Sequence, residues 1–318
     1  MRRNTAAAQL SAAIMCLLLT AGCKNTLDNH RYTIVVVGSS TAEGYGIKPK
    51  DSCWVNRFAH SLGPEVAVRN ISKTGYSTYE VMPTGTRKEG RPEPDEKRNI
   101  TKALSFHPDA IILNLPTNDA AAGYSLEEQK ANFRTIIQAA TDKNIPVWVT
   151  TTQPRTNTFG RSRNTLPQMR DWLLATYGNK VINFWEPFAN ADYTINKQYD
   201  QDGIHLNIPG HRILFERVAE KNIMDTVRRG PVKLLSVDQT AKGLHWRTGG
   251  ERYIDSFRIQ ASKDSVQWMD AGRIKAAGTT VQVKDYNLDV DGVAKYRYFR
   301  ISAKDLLNRT FLLGSFRL

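Results

Sequence analysis

Four short segments carry the residue types that acyl-transfer chemistry needs. The first is Gly38-Ser39-Ser40-Thr41-Ala42-Glu43-Gly44, directly after an apolar run. A serine in a tight strand-to-helix turn can present its hydroxyl outward, with its own backbone N–H aimed at a bound carbonyl. The segment lacks the lysine of a phosphate-binding loop, and its glycine spacing does not fit a dinucleotide fingerprint. The second is Asp202-Gly203-Ile204-His205, a carboxylate and an imidazole on one loop. Such a pair can hydrogen-bond, fixing the ring tautomer and leaving the other ring nitrogen outward as a general base. A metal site is its competing use, but no further His or Cys clusters with it in the sequence. The third is Pro116-Thr117-Asn118-Asp119, where the Asn side chain could donate to an oxyanion. The fourth runs from Asn70 to Tyr76, where Gly75 could offer an unobstructed backbone N–H.

The elements around these segments alternate. Tyr32–Val37 is a nearly continuous β-branched run, expected of a strand buried on both faces of a parallel sheet. Further strands are predicted at Val66–Ile71, Ala110–Leu115, Pro146–Thr152 and Val181–Trp185. Helices are predicted at Trp54–Leu62, after the capping-box spacing that starts at Ser125, at Pro167–Tyr177 and at Pro209–Val227. Residues 83–101, rich in Pro, Gly and mixed charge, read as a surface loop. Repeated β–loop–α units predict a three-layer α/β/α sandwich with a parallel, flavodoxin-like sheet. Right-handed crossovers would gather the loops after the strands, and with them all four segments, along one sheet edge.

After Arg228-Arg229-Gly230-Pro231 the texture changes to short alternating segments separated by turn signals such as Gly249-Gly250 and Asp291-Gly292. This predicts a small antiparallel β-sandwich over 230–318, with Trp246, Phe257 and Tyr298 in its core. The Leu-His-Trp-Arg-Thr segment at 244–248, the Ser-x-Asp-x-x-x-Trp form at 262–268 and the aromatic run at 296–301 resemble a fibronectin type III-like domain.

The chain has 318 residues, 41% hydrophobic and 24% charged, an ordinary globular composition that excludes collagen-like, coiled-coil and disordered classes. Its net charge of +13 invites anionic partners. Lys and Arg are interleaved with acids, however, and no nucleic-acid-binding motif is present, so no nucleic-acid partner is expected. Arg2 and Arg3 precede a short apolar core, too short for the roughly 20 residues of a membrane span, and small residues follow. The Leu-Thr-Ala-Gly-Cys end resembles a bacterial lipoprotein signal, which implies removal of residues 1–22, lipidation at Cys23 and a tether over 23–30. That places the protein in the bacterial cell envelope, held to the membrane by its N-terminal lipid, on the periplasmic or outward-facing side. Of the three cysteines, Cys16 then leaves, Cys23 is blocked and Cys53 remains as a buried apolar thiol. His60, His107, His211 and His245 have no partners that suggest catalysis.

Taken together, the four segments resemble the SGNH (GDSL-type) hydrolase family over residues 32–228, a domain bounded here as 31–229. The resemblance makes Ser40 the implied nucleophile, and His205 and Asp202 the other triad members. The implied oxyanion hole consists of the Ser40 and Gly75 N–H groups with the Asn118 amide. Ser39 stands where the family has Asp, and Pro116 where it has Gly. No cofactor and no metal are implied. The expected activity is serine esterase chemistry, most readily deacetylation of a glycan. The alternatives are a lysophospholipase, arylesterase or thioesterase acting on longer acyl chains, or a non-catalytic glycan-binding lipoprotein.

Overall fold

The computed structural model describes residues 30–115, 117–158 and 160–317. The predicted leader with Arg2, Arg3, Cys16 and Cys23, the predicted tether up to residue 29, and also Pro116 lie outside the described residues. The first part of the chain runs β1 (Tyr32–Gly38), α1 (Ser40–Glu43), α2 (Trp54–Leu62), β2 (Val66–Asn70), α3 (Thr78–Val81), α4 (Ile100–Ser105) and β3 (Ala110–Asn114). It continues through α5 (Asn118–Ala121), α6 (Leu126–Thr141), β4 (Val147–Thr150), α7 (Gly160–Tyr177), β5 (Val181–Ile182), α8 (Ile208–Ala219) and α9 (Ile223–Arg228).

The five strands form one parallel sheet in the order β2-β1-β3-β4-β5. The period-2 geometry of β1 divides its unbroken apolar run between two cores. Ile34 and Val36 join Trp54 and Phe58 of α2, Leu214 and Val218 of α8 and Val227 of α9 on one face. Val35 and Val37 join Ile100 of α4, Phe133 and Ile136 of α6 and Leu173 of α7 on the other. This is the three-layer α/β architecture expected from the sequence.

Helix boundaries differ in two places. α7 begins at Gly160 instead of Pro167, so Pro167 sits inside the helix, where it removes one backbone hydrogen bond. The long last helix is two, because Asn222 adopts a left-handed backbone (φ 46°), which Asn tolerates better than most residues. The Ser125 prediction matches: its hydroxyl accepts the Glu128 N–H at the start of α6. Residues 83–99 are irregular and tied down, with Arg91 and Lys88 on Glu128 of α6 and the Tyr76 hydroxyl on Asp95.

The remainder is all β: β6 (Val232–Gln239), β7 (Gly243–Glu251), β8 (Ile254–Ser262), β9 (Met269–Lys275), β10 (Thr280–Asp289), β11 (Tyr298–Asp305) and β12 (Thr310–Arg317). They form two antiparallel sheets, β10-β7-β6 and β12-β11-β8-β9, around one core containing Trp246, Phe257, Tyr286 and Phe299. Alternation along β11 turns Phe299 inward and leaves Tyr298 half-buried, so Phe299 is the core residue of that strand. The sequence gives no hint of β9, because this edge strand is largely exposed and has no clear apolar alternation.

The β domain docks against the edge of the parallel sheet where the strands begin. Asp109, just before β3, accepts from Arg309 Nη1 (2.8 Å) and Nη2 (3.1 Å), from Arg252 Nη2 (3.3 Å) and from the Thr33 N–H (3.0 Å). All three charged side chains are largely or wholly buried. Arg309 also donates to the Arg31 carbonyl (2.6 Å), and Tyr253 packs into the α/β core beside His107.

Candidate active site

The opposite edge of the sheet, where the strands end, carries all four segments. The order β2-β1-β3-β4-β5 changes direction between β1 and β3, and a crevice at that switch point is where doubly wound sheets bind ligands. Ser40 opens α1 directly after β1, and Asn118 opens α5 just after β3. Gly38 must be glycine, since a Cβ there would lie 2.2 Å from the Asn114 carbonyl oxygen of β3.

The turn holding Ser40 is fixed from several sides. Ser39 is fully buried; its N–H donates to the Asn114 carbonyl (3.1 Å) and its own carbonyl accepts from Ala42 and Glu43. Its hydroxyl accepts from Asn118 Nδ2 (2.8 Å), so a neutral oxygen anchors this loop where the family has a carboxylate. Glu43 reaches the neighbouring loop, where its carboxylate accepts the Thr74 N–H (2.6 Å) and hydroxyl. Asn70 donates to the Ala42 carbonyl (2.7 Å) and accepts from the Ser72 N–H. These contacts set Gly75, in a left-handed conformation (φ +89°), beside the Ser40 turn with open space around it. Among the described residues, neither the Ser40 nor the Gly75 backbone N–H donates to a protein acceptor.

The histidine loop is equally constrained. His205 Nδ1–H donates to Asp202 Oδ2 (2.8 Å), while Asp202 Oδ1 accepts the backbone N–H groups of His205 (2.8 Å) and Ile204 (3.0 Å). Partial burial raises the Asp202 carboxyl, but the His205 and Ile204 hydrogen bonds outweigh it and hold the group below its ordinary value. A carboxylate can only accept, so Nδ1 carries the ring hydrogen and Nε2 keeps its lone pair. Neither His205 Nε2 nor Ser40 Oγ is engaged in a hydrogen bond with any described residue. The Tyr45 ring, 47% exposed, lies against the imidazole with centroids 4.7 Å apart, and its backbone N–H donates to the Ser40 carbonyl.

Asn118 is placed differently from a free donor. Its Nδ2 donates to both Ser39 Oγ and the Tyr76 carbonyl, each at 2.8 Å. It reaches an oxyanion only by exchanging one of these acceptors, and the Ser39 hydroxyl can rotate away. The next residue, Asp119, ties the third segment to α3, just past the fourth: it accepts the Thr78 N–H (3.0 Å) and hydroxyl (2.5 Å). Burial pushes its carboxyl up to about 6, against the hydrogen bonds from Thr78.

Two further residues that the sequence does not single out belong to this site. Buried Gln153 bridges the turn and the histidine loop: it accepts from Thr41 Oγ1 (3.0 Å) and donates to the Ile204 carbonyl (2.8 Å). Arg155, two residues on, faces Thr117 and Asn118. Their loop is pinned to the histidine loop by the Thr156 and Asn157 N–H groups on the Gly203 carbonyl and by Asn157 Nδ2 on the Asp202 carbonyl. Of the other histidines, His211 is buried and accepts the Trp54 N–H at Nδ1 (3.3 Å), opening α2; burial holds it down to about 3. Cys53 is buried and unpaired, and burial raises its thiol. No group of His, Cys, Asp or Glu suited to a metal ion occurs among the described residues, and no described helix is long and apolar enough to cross a membrane.

Fold and site together describe a doubly wound α/β protein with its polar loops gathered at the switch point of the sheet. The sequence model of the GDSL-like lipase/acylhydrolase family matches residues 36–213, more than half of the chain, and the protein belongs to that family. No curated protein matches the sequence. Among solved structures, the chain is similar to a lipolytic protein of the G-D-S-L family from Desulfitobacterium hafniense, with 15% identity, a TM-score of 0.47, and 59% of this chain and 98% of that one covered. It is similar to a carbohydrate acetylesterase from Sinorhizobium meliloti (16%, TM-score 0.45, covering 60% and 97%). It is also similar to a catalytic mutant of an acetylxylan esterase from Geobacillus stearothermophilus (13%, TM-score 0.46, covering 61% and 94%).

Proposed function

We propose that the protein is a serine esterase that removes small acyl groups, acetyl foremost, from a polysaccharide. In this reading Ser40 Oγ attacks the ester carbonyl while His205 Nε2 takes its proton. Asp202 holds the ring and stabilises the imidazolium. The N–H groups of Ser40 and Gly75, joined by the Asn118 amide, receive the negative charge that develops on the carbonyl oxygen. Collapse breaks the ester C–O bond, and His205 returns the proton to the departing alcohol. Water, deprotonated by His205, then adds to the acyl-serine; collapse breaks the acyl–Oγ bond, His205 returns the proton to Ser40 Oγ, and the carboxylic acid leaves.

One observation carries the reading. An Asp-oriented imidazole with a vacant Nε2 shares a sheet edge with a serine turn whose N–H, like that of Gly75, has no protein acceptor. Support for a sugar substrate is the polar rim of Thr117, Asn118, Arg155 and Asn157, with the exposed Tyr45 ring as a flat apolar surface beside the imidazole. The seven antiparallel strands in sheets of three and four, with Trp246 at their centre, support the fibronectin type III-like reading of the C-terminal domain as an appended module. The lipoprotein-like leader supports an envelope location with an anchor at Cys23.

The experiment is hydrolysis of p-nitrophenyl acetate by wild type and Ser40→Ala. Turnover should vanish in the variant at unchanged thermal midpoint, and equal rates would remove Ser40 from the mechanism. An acyl series from acetyl to palmitoyl, with acetylated xylan, pectin and peptidoglycan and a lysophospholipid, then reads the substrate. A steep preference for acetyl is expected, and a preference for long chains would replace the glycan with a lipid.

A further inference from the structure

Arg155 has no role in the chemistry just described, yet it lies on the same sheet edge, against Thr117 and Asn118. It follows β4 on the loop pinned to the Asp202–His205 loop, and its Nη1 lies 3.3 Å from Thr117 Oγ1 and 3.4 Å from Asn118 Oδ1. These are its side chain's hydrogen bonds, both long and both from one nitrogen. Its Nε is buried without a partner. Three other partly or largely buried arginines face carboxylates: Arg91 on Glu128, Arg252 on Asp109, and Arg309 on Asp109 and Asp305. Arg155 forms no ion pair with any described residue. Asp202 is near enough to be felt, but its oxygens are committed to His205 and Ile204. Burial lowers the Arg155 pKa, the direction expected of a cation left without a counterion.

A half-buried guanidinium with unused donors is costly to keep and well suited to one class of ligand. Its planar fork matches a carboxylate in a bidentate arrangement. Through Asn118 it is one amide group away from Ser39 and the Ser40 turn. Resting on the esterase reading above, we propose that Arg155 is a specificity-determining residue that receives a carboxylate of the substrate, so that the preferred esters are acidic. The carboxylate has two possible sources: the alcohol side, as in an acetylated uronic acid, or the acyl side, as in the half-ester of a dicarboxylic acid.

The test compares wild type, Arg155→Gln and Arg155→Lys on two matched pairs: acetylated polygalacturonate against acetylated xylan, and monoethyl succinate against ethyl butyrate. A hydrogen-bonded charge pair of this kind corresponds to about a 10- to 100-fold preference. The ratio of kcat/KM for the acidic over the neutral member should therefore fall about tenfold or more in Arg155→Gln, chiefly through KM. It should recover in part in Arg155→Lys. The pair that responds identifies the side bearing the carboxylate. An unchanged ratio in both pairs, including an equal loss on both members, would overturn the proposal and leave Arg155 as a support for Asn118. Binding of trigalacturonate and of succinate, measured by calorimetry on the same proteins, reads the site without hydrolysis. Binding that depends on Arg155 in a protein that cleaves no ester would refute the esterase reading and keep Arg155 only as a carboxylate-binding residue. Binding of neither anion by wild type, or binding indifferent to Arg155, would refute the proposal for Arg155.

Discussion

Gln153 joins the two halves of the site, so replacing it tests whether their registration matters. Gln153→Ala removes two buried hydrogen bonds, from Thr41 Oγ1 and to the Ile204 carbonyl. Each contributes about 0.5–1.5 kcal/mol net, and a buried acceptor left unpaired adds about 1–3 kcal/mol. The sum is a destabilisation of about 2–6 kcal/mol, or roughly 4–24 °C in the midpoint of a domain of this size. The catalytic effect is larger in proportion. Thr41 is the neighbour of Ser40 and Ile204 the neighbour of His205, so relaxation at either end shifts the hydroxyl relative to Nε2. A displacement of about 1 Å costs on the order of 100-fold. Steady-state hydrolysis of p-nitrophenyl acetate well below the midpoint should show kcat reduced about 30- to 100-fold with KM little changed. Gln153→Glu, which keeps the acceptor for Thr41 and loses the donor to Ile204, should fall between. A lowered midpoint with wild-type kcat would show that the bridge serves stability alone and that the two loops hold their register without it.

Two other perturbations follow. Asp109→Ala leaves Arg252 and Arg309 buried without their shared carboxylate, which should cost about 3–5 kcal/mol in denaturant unfolding. kcat should stay within about twofold, because Asp109 lies at the edge of the sheet away from the loops of the site; a large kcat loss would contradict that separation. His211 is held at about 3 against an ordinary 6.5, so the unfolded chain binds a proton there that the folded chain refuses. Its contribution to stability is full above pH 6.5 and is lost as pH falls toward 3, with a slope approaching about 1.4 kcal/mol per pH unit. Asp119, raised to about 6, works the other way between about 6 and 3.8, so the comparison must be wild type against His211→Gln. Urea midpoints from pH 7 to 4 should fall less steeply in the variant; parallel curves would show that His211 protonates freely in the fold.

The sequence made the frame legible because the frame rests on local patterns. The apolar run at Tyr32–Val37, the Ser125 cap and the Asp-x-x-His spacing are each read within a few residues, and each has its counterpart in the structure. Gly75 and Asn118 are read the same way as candidates, whereas the hydrogen bonds of Asn118 to Ser39 and to the Tyr76 carbonyl carry no local signal. Gln153 and Arg155 were invisible for a physical reason. Each is a single polar residue on a loop, and its partners stand 112 and 51, or 38 and 37, positions away. No periodicity signals such pairings, which exist only once the sheet has aligned its strand ends. The broken last helix and the edge strand β9 escaped for the opposite reason: apolar spacing runs on through Asn222, and β9 has almost none.

The junction at Asp109 has a consequence for how the molecule can be carried. The polypeptide enters β1 at the same pole where the β domain is clamped, with the Arg31 carbonyl itself held by Arg309. His30 and the β domain therefore both lie at the end of the sheet where the strands begin, and the loops of the site lie at the other. Under the proposed function, an attachment at that pole would leave the loops of Ser40, Asn118 and His205 facing away from it, like a lamp on a stand.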